Sequence, residues 1–106
     1  MNYKNKVSST QTAVGSTTIA FRHFANGGVG IQITGITSAT VTFEATIDGT
    51  NWVAHYATPV ASATAATTTT VDGIFYANVV GITAFRARIS TYATGTIVTT
   101  LCANPG

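Results

Sequence analysis

Apolar and polar residues alternate at a spacing of two along most of the chain, and clusters of Gly, Asn and Asp interrupt the alternation. That spacing puts successive side chains on opposite faces of a strand, so that one face can be buried. Thr17 to Phe24 predicts a first clear strand, with Ile19, Phe21 and His23 alternating against Ala20, Arg22 and Phe24. Asn26-Gly27-Gly28 predicts a turn. Val29 to Ile33 predicts a second strand, closed by Gly35. The pattern is cleanest from Thr40 to Ile47, where Val41, Phe43, Ala45 and Ile47 point one way and Thr40, Thr42, Glu44 and Thr46 the other. Asp48-Gly49 between alternating runs is a hairpin signal. It predicts a return strand from Trp52 to Tyr56, with Trp52, Ala54 and Tyr56 on one face.

Ala57 to Ala66 is small, contains Pro59 and reads as a loop. Thr67 to Val71 predicts a short edge strand ended by Asp72-Gly73, and Ile74 to Val80 a further strand ended by Gly81. Phe85, Ala87 and Ile89 alternate against Arg86, Arg88 and Ser90, and Ala93-Thr94-Gly95 predicts a turn into a last strand, Thr96 to Cys102. Residues 1–16 are polar, with Val7, Ala13 and Val14 as exceptions, and predict a flexible or extended N-terminal arm or a weak edge strand. About seven or eight short strands with a turn signal every 8–12 residues is the pattern of a small antiparallel β-sandwich or barrel. The expectation is an all-β, jelly-roll-like sandwich over residues 17–106, preceded by the arm.

Composition sharpens this picture. Only 8% of the 106 residues are charged, against roughly 25% in ordinary soluble domains. Thr makes up about a fifth of the chain, and its β-branched side chain favours strands. A surface of short neutral side chains costs little entropy to order and lacks the charge that keeps monomers apart. Both properties favour adhesion to other protein subunits. The net charge of +2 is too small and too scattered for a nucleic-acid footprint. No apolar run approaches the roughly 18 residues of a membrane helix. No apolar stretch follows Lys4 and Lys6, so no secretory leader is expected. The lone Cys102 excludes an intrachain disulfide and reads as a small strand residue.

Catalytic constellations find no support. Asp48 and Asp72 each precede Gly, where Asp forms turns. Glu44 stands on a polar strand face without a second acid aimed at the same point. His23 and His55 lack metal-ligand spacing to each other or to Cys102. Gly27-Gly28-Val29-Gly30 leads into a strand, whereas a phosphate loop leads into a helix. The chain is therefore expected to have no catalytic, metal or cofactor site and to need no cofactor.

Binding residues remain. Arg86 and Arg88 share a strand face, where they pair across the sheet with Glu44, are simply solvated, or meet a partner subunit. Tyr3, Lys4 and Lys6 of the arm are the other candidate interface residues. Trp52 and Tyr56 offer an alternative, a stacking platform for a glycan, set against ordinary packing at the sheet end.

The stretch Ala39-Thr40-Val41-Thr42-Phe43-Glu44-Ala45-Thr46-Ile47-Asp48-Gly49-Thr50-Asn51-Trp52 resembles a motif of small bacteriophage virion proteins. So do Gly73 to Ser90 and Tyr92 with Thr94-Gly95-Thr96-Ile97, so that the resemblance covers roughly the C-terminal two-thirds. The Ile-Asp-Gly-Thr-Asn-Trp corner also resembles carbohydrate-binding and discoidin-like sandwiches. The phage resemblance implies a virion structural protein, made in the host cytoplasm and placed on the capsid surface. As a decoration or cement protein it would bind the major capsid protein lattice, as a homotrimer, without nucleic acid or membrane. A tail- or neck-associated structural module, or a receptor-binding carbohydrate module, is the alternative.

Overall fold

A computed structural model describes residues 6–21 and 27–103. The part of the expected strand beyond Phe21, including His23, lies outside the described residues, as do Tyr3 and Lys4. Eight strands follow in chain order: β1 (Lys6–Gln11), β2 (Gly15–Ala20), β3 (Gly28–Thr46), β4 (Val53–Ala54), β5 (Thr58–Pro59), β6 (Thr68–Thr69), β7 (Gly73–Asn78) and β8 (Ala84–Ala103). All pairings among them are antiparallel.

Two strands organise the rest. β3 is 19 residues long and β8 is 20. Both are free of Pro and dense in β-branched residues, which suits a long pleated ribbon. They pair along their whole length, from Val29 with Ala103 to Thr46 with Ala84. Four register shifts interrupt the ladder, all between Thr34 and Val41. Extra residues of this kind bend a strand and increase its twist. The ribbon is thereby folded on itself, and each long strand serves two layers. The first layer runs β1, the end of β8, the start of β3, β7, β5. The second runs β2, the start of β8, the end of β3, then β6 and β4 side by side along the free edge of β3.

This corrects the expectation of strand ends at Gly35 and at Ala93-Thr94-Gly95. Both glycines have positive φ, 85° at Gly35 and 130° at Gly95. They serve a bend inside a strand rather than a turn between strands. A Cβ on Gly35 would lie 1.9 Å from the Thr96 carbonyl oxygen, and one on Gly95 2.6 Å from the Gly35 carbonyl oxygen. The two backbones therefore touch where the ribbon folds. Asp72 fastens the same place: its carboxylate accepts from the Gly35 N–H at 3.0 Å and from the Ile36 N–H at 2.8 Å.

The core fills the space between the layers. Val29, Ile31, Ile33, Ile97, Leu101 and Phe75 come from the first layer; Ile19, Val41, Phe43, Phe85 and Ile89 come from the second. Phe43 meets Phe75 across the gap at 5.3 Å between ring centroids and stacks with Phe85 at 6.4 Å. Each such buried side chain contributes about 1.5–3 kcal/mol relative to exposure. The architecture is the expected all-β sandwich. Residues 6–11 form an edge strand on β8. Two local expectations give way. Ile47 does not continue the buried row, because β3 ends at Thr46 and Ile47 is 72% exposed. The Asp48-Gly49 hairpin is real but its return strand is only Val53–Ala54, joined through a loop longer than two residues.

Candidate interaction surface

The outer face of the second layer holds three of the six formally charged side chains among the described residues, Glu44, Arg86 and Arg88. Thr18, Arg86, Glu44 and Ala54 stand in one cross-strand row, and Ser16, Arg88, Thr42 and Thr68 in the next. Arg86 Nε donates to Glu44 Oε1 at 2.7 Å. Arg88 Nε donates to the same oxygen at 3.0 Å, and its Nη2 to Oε2 at 3.2 Å. Glu44 is buried although it points away from the core. The two guanidinium groups cover it. Burial alone would raise the Glu44 pKa, but hydrogen bonds from Arg88 and Arg86, and then their charges, bring it below the ordinary glutamate value. Glu44 in turn raises Arg88.

Trp52 completes this group. The Arg86 Cζ sits 4.2 Å from the centroid of the Trp52 ring, a cation–π contact. The loop after β3 is what brings the ring there. Asp48 Oδ1 accepts from the N–H groups of Thr50 and Asn51, both at 2.8 Å, and its Oδ2 accepts from Asn51 Nδ2 at 2.7 Å. Thr46 Oγ1 donates to Asp48 and accepts from the Gly49 N–H. Gly49 supplies φ 80°. The Asn51 and Thr50 N–H groups hold the Asp48 carboxyl well below the usual range.

The outer face of the first layer is nearly without charge. Lys6, Cys102, Gly30, Tyr76 and Thr58 form one row; Ser8, Thr100, Gln32 and Ile74 form the next. Ile74 is 49% and Tyr76 53% exposed. Because Gly30 lacks a side chain, a shallow trough of about 310 Å³ opens between Lys6, Gln32, Ile74, Thr100 and Cys102. A larger groove, about 460 Å³, lies at the end of the second layer between Ile47, Val53, His55 and Ile82. His55 is held there structurally. Its Nδ1 lies 2.6 Å from the Tyr56 carbonyl oxygen, which can only accept, and its ring stands nearly perpendicular to that of Phe85 with 5.8 Å between centroids. Among the described residues no group of three or more His, Cys, Asp or Glu side chains is placed to hold a metal ion.

The structure joins some of the residues marked in the sequence and separates others. Arg86 and Arg88 meet on Glu44, and Trp52 packs on Arg86, so the cross-sheet pairing, one of the alternatives open to the arginines, is made. Lys6 lies on the other layer. Tyr56 lies beyond the end of β4 and is exposed. One ring face of Trp52 is taken by Arg86. Sequence reasoning missed Ile74 and Tyr76. Their signal was present, since β7 is apolar on both faces: Ile74 and Tyr76 alternate with the buried Phe75 and Ala77.

No protein-family model matches the chain, and no curated sequence does. Solved structures do match. The SPBc2 prophage-derived protein YomS is similar with a TM-score of 0.74 at 12% identity, over 98% of this chain and 99% of that one. The PBSX exported protein XepA gives a TM-score of 0.76 at 10% identity, over 98% of this chain but 40% of XepA. The Yersinia pseudotuberculosis-derived mitogen gives 0.53 at 10% identity, over 96% and 88% of the two chains. At these identities the likeness is one of fold.

Proposed function

We propose that the chain is a non-catalytic structural protein of a bacteriophage particle, and that it acts as a capsid decoration protein. The observation that carries this reading is the outer surface of the sandwich. One sheet face exposes Ile74 and Tyr76 among short neutral side chains, with Lys6 as the one charged residue in its rows. Flat neutral sheet faces with exposed aromatic and aliphatic groups suit the core of a protein–protein contact, where charge is depleted and Tyr enriched. The end-to-end likeness in fold to prophage-derived YomS supports the phage setting. So do the motifs from Ala39 to Trp52 and from Gly73 to Ile97.

On this reading the chain binds the major capsid protein lattice as a homotrimer and ties neighbouring subunits together. Each contact can be weak, because attachment at several linked sites multiplies the affinities. The test is direct. Purified chain is added to capsid shells that lack it, from the phage or prophage that encodes it. Saturable binding with a fixed stoichiometry and a higher shell melting temperature are expected, with the mass of the free chain matching a trimer. Absence of binding overturns the reading. A ring of higher order than three points to a tail or neck position instead.

A further inference from the structure

We infer that Arg86 and Arg88 form a receptor for a carboxylate supplied by an acidic patch on a partner protein. The inference rests on the reading of the chain as an adhesive structural protein and adds a second contact, on the outer face opposite the Ile74 and Tyr76 rows.

The chain has three acidic side chains, and all three are engaged within its own fold. Glu44 is held by Arg86 and Arg88. Asp48 closes its loop on Thr50 and Asn51. Asp72 fastens Gly35 and Ile36. The cations are not engaged to the same extent. A guanidinium carries five N–H donors. One donor of Arg86 and two of Arg88 bind Glu44, and the others have no partner among the described residues. The Arg86 side chain is 23% exposed and that of Arg88 40%. Two positive charges share one negative charge, so the group retains a net positive charge.

The pair is also ordered in advance. Trp52 and Glu44 fix the plane of Arg86, and the two-pronged contact with Glu44 fixes Arg88. Freezing a long side chain normally opposes binding by about 0.5–1.5 kcal/mol, and here that ordering has already occurred. The surrounding rows are Ser16, Thr18, Thr42 and Thr68, short and neutral, which leaves room for a flat approach. The planar fork of a guanidinium matches a carboxylate in two-pronged geometry. A nucleic acid needs a broad basic stripe instead, and two arginines around a glutamate do not make one.

Trp52 is the one tryptophan of the chain and touches Arg86, so its fluorescence reports on the site. The probe is a capped Glu-Gly-Glu peptide titrated at fixed ionic strength, beside its Gln-Gly-Gln counterpart and a short single-stranded DNA. The expected result is a saturable change with the Glu peptide alone. Arg88→Gln should weaken it at least fivefold. Glu44→Gln keeps one oxygen that can accept from both Nε groups but removes the competing charge, so it should tighten binding, the opposite of what a purely structural role for the cluster predicts. Identical behaviour of the two peptides, no saturable change, weaker binding by Glu44→Gln, or tighter binding of the DNA than of the Glu peptide each overturns the inference. The titration contains no capsid. Peptide binding without capsid binding keeps the site and rejects the decoration reading. Capsid binding without a saturable response to the Glu peptide does the reverse.

Discussion

Replacing Gly35 by alanine tests the folded ribbon at its tightest point. Gly35 has φ 85°, and a Cβ there would fall 1.9 Å from the backbone oxygen of Thr96. The left-handed conformation costs an alanine about 1–2 kcal/mol. The clash adds more, because its partner is backbone that is itself paired to β3. Distorting a backbone angle by about 15° to relieve it costs about 4 kcal/mol. Together these approach the whole stability of a small domain, about 5–15 kcal/mol. Gly49→Ala is the matched control: φ is 80°, but no atom lies within 4 Å of the added Cβ. It should carry the conformational cost alone. Gly30→Ala has neither problem, since φ is not positive and the nearest atom is 3.8 Å away. Thermal unfolding followed by circular dichroism reads all three. At roughly 4–8 °C per kcal/mol for a domain of this size, Gly35→Ala should melt at least about 20 °C lower or fail to fold. Gly49→Ala should lose roughly 5–15 °C and Gly30→Ala almost nothing. If Gly35→Ala melts within a few degrees of Gly49→Ala, the close approach of β3 and β8 at the bend is wrong.

Other outcomes follow from the same packing and charges. Phe43→Ala empties a site bounded by Phe75 and Phe85 and should cost about 3–5 kcal/mol in urea unfolding; a loss under about 1 kcal/mol would mean the layers are not joined there. Because the folded-state pKa of Glu44 is depressed, its ion pairs stabilise the fold fully above the ordinary value of 4.5 and are lost as pH falls through the lower folded value. Glu44→Gln should therefore flatten the loss of stability below pH 4.5 in acid titrations, and an unchanged acid limb would contradict the pairing. Arg86→Gln removes the cation over Trp52, so the emission maximum should shift to the red and quenching by acrylamide should increase. An unaltered spectrum would place Arg86 elsewhere.

The alternation of side chains made most strands legible, because each has one buried face and a spacing of two reports that directly. Val41, Phe43 and Ala45, or Phe85, Ala87 and Ile89, are inside as their spacing implied. What local pattern does not carry is which strand continues into which. A glycine with positive φ has the same signature in a turn between two strands and in a bulge within one. Gly35 and Gly95 read as turns for that reason, and the distant pairing of β3 with β8 decides otherwise. Ile47 fails similarly: alternation predicts its direction, but Asp48 ends the strand first by capturing the Thr50 and Asn51 N–H groups. The candidate surface was half legible. Two arginines spaced by one residue and a glutamate on another polar face raised their pairing as one alternative, beside solvation and a subunit contact. The contact of Arg86 with Trp52 depended on the path of a loop, which no spacing encodes.

In most sandwiches the two sheets are separate walls held by the oil between them, and a shear force has a plane along which to act. Here β3 and β8 cross from one wall to the other, so the hinge side is closed by continuous covalent chain. A pull applied at the Arg86 and Arg88 strand passes along that same strand to residues 97–102 of the opposite wall. The walls can open only by unzipping a ribbon that pairs Thr46 with Ala84 at one extreme and Val29 with Ala103 at the other. Under the structural role proposed above, that geometry would turn a load on one face into tension along the backbone rather than slip across the core.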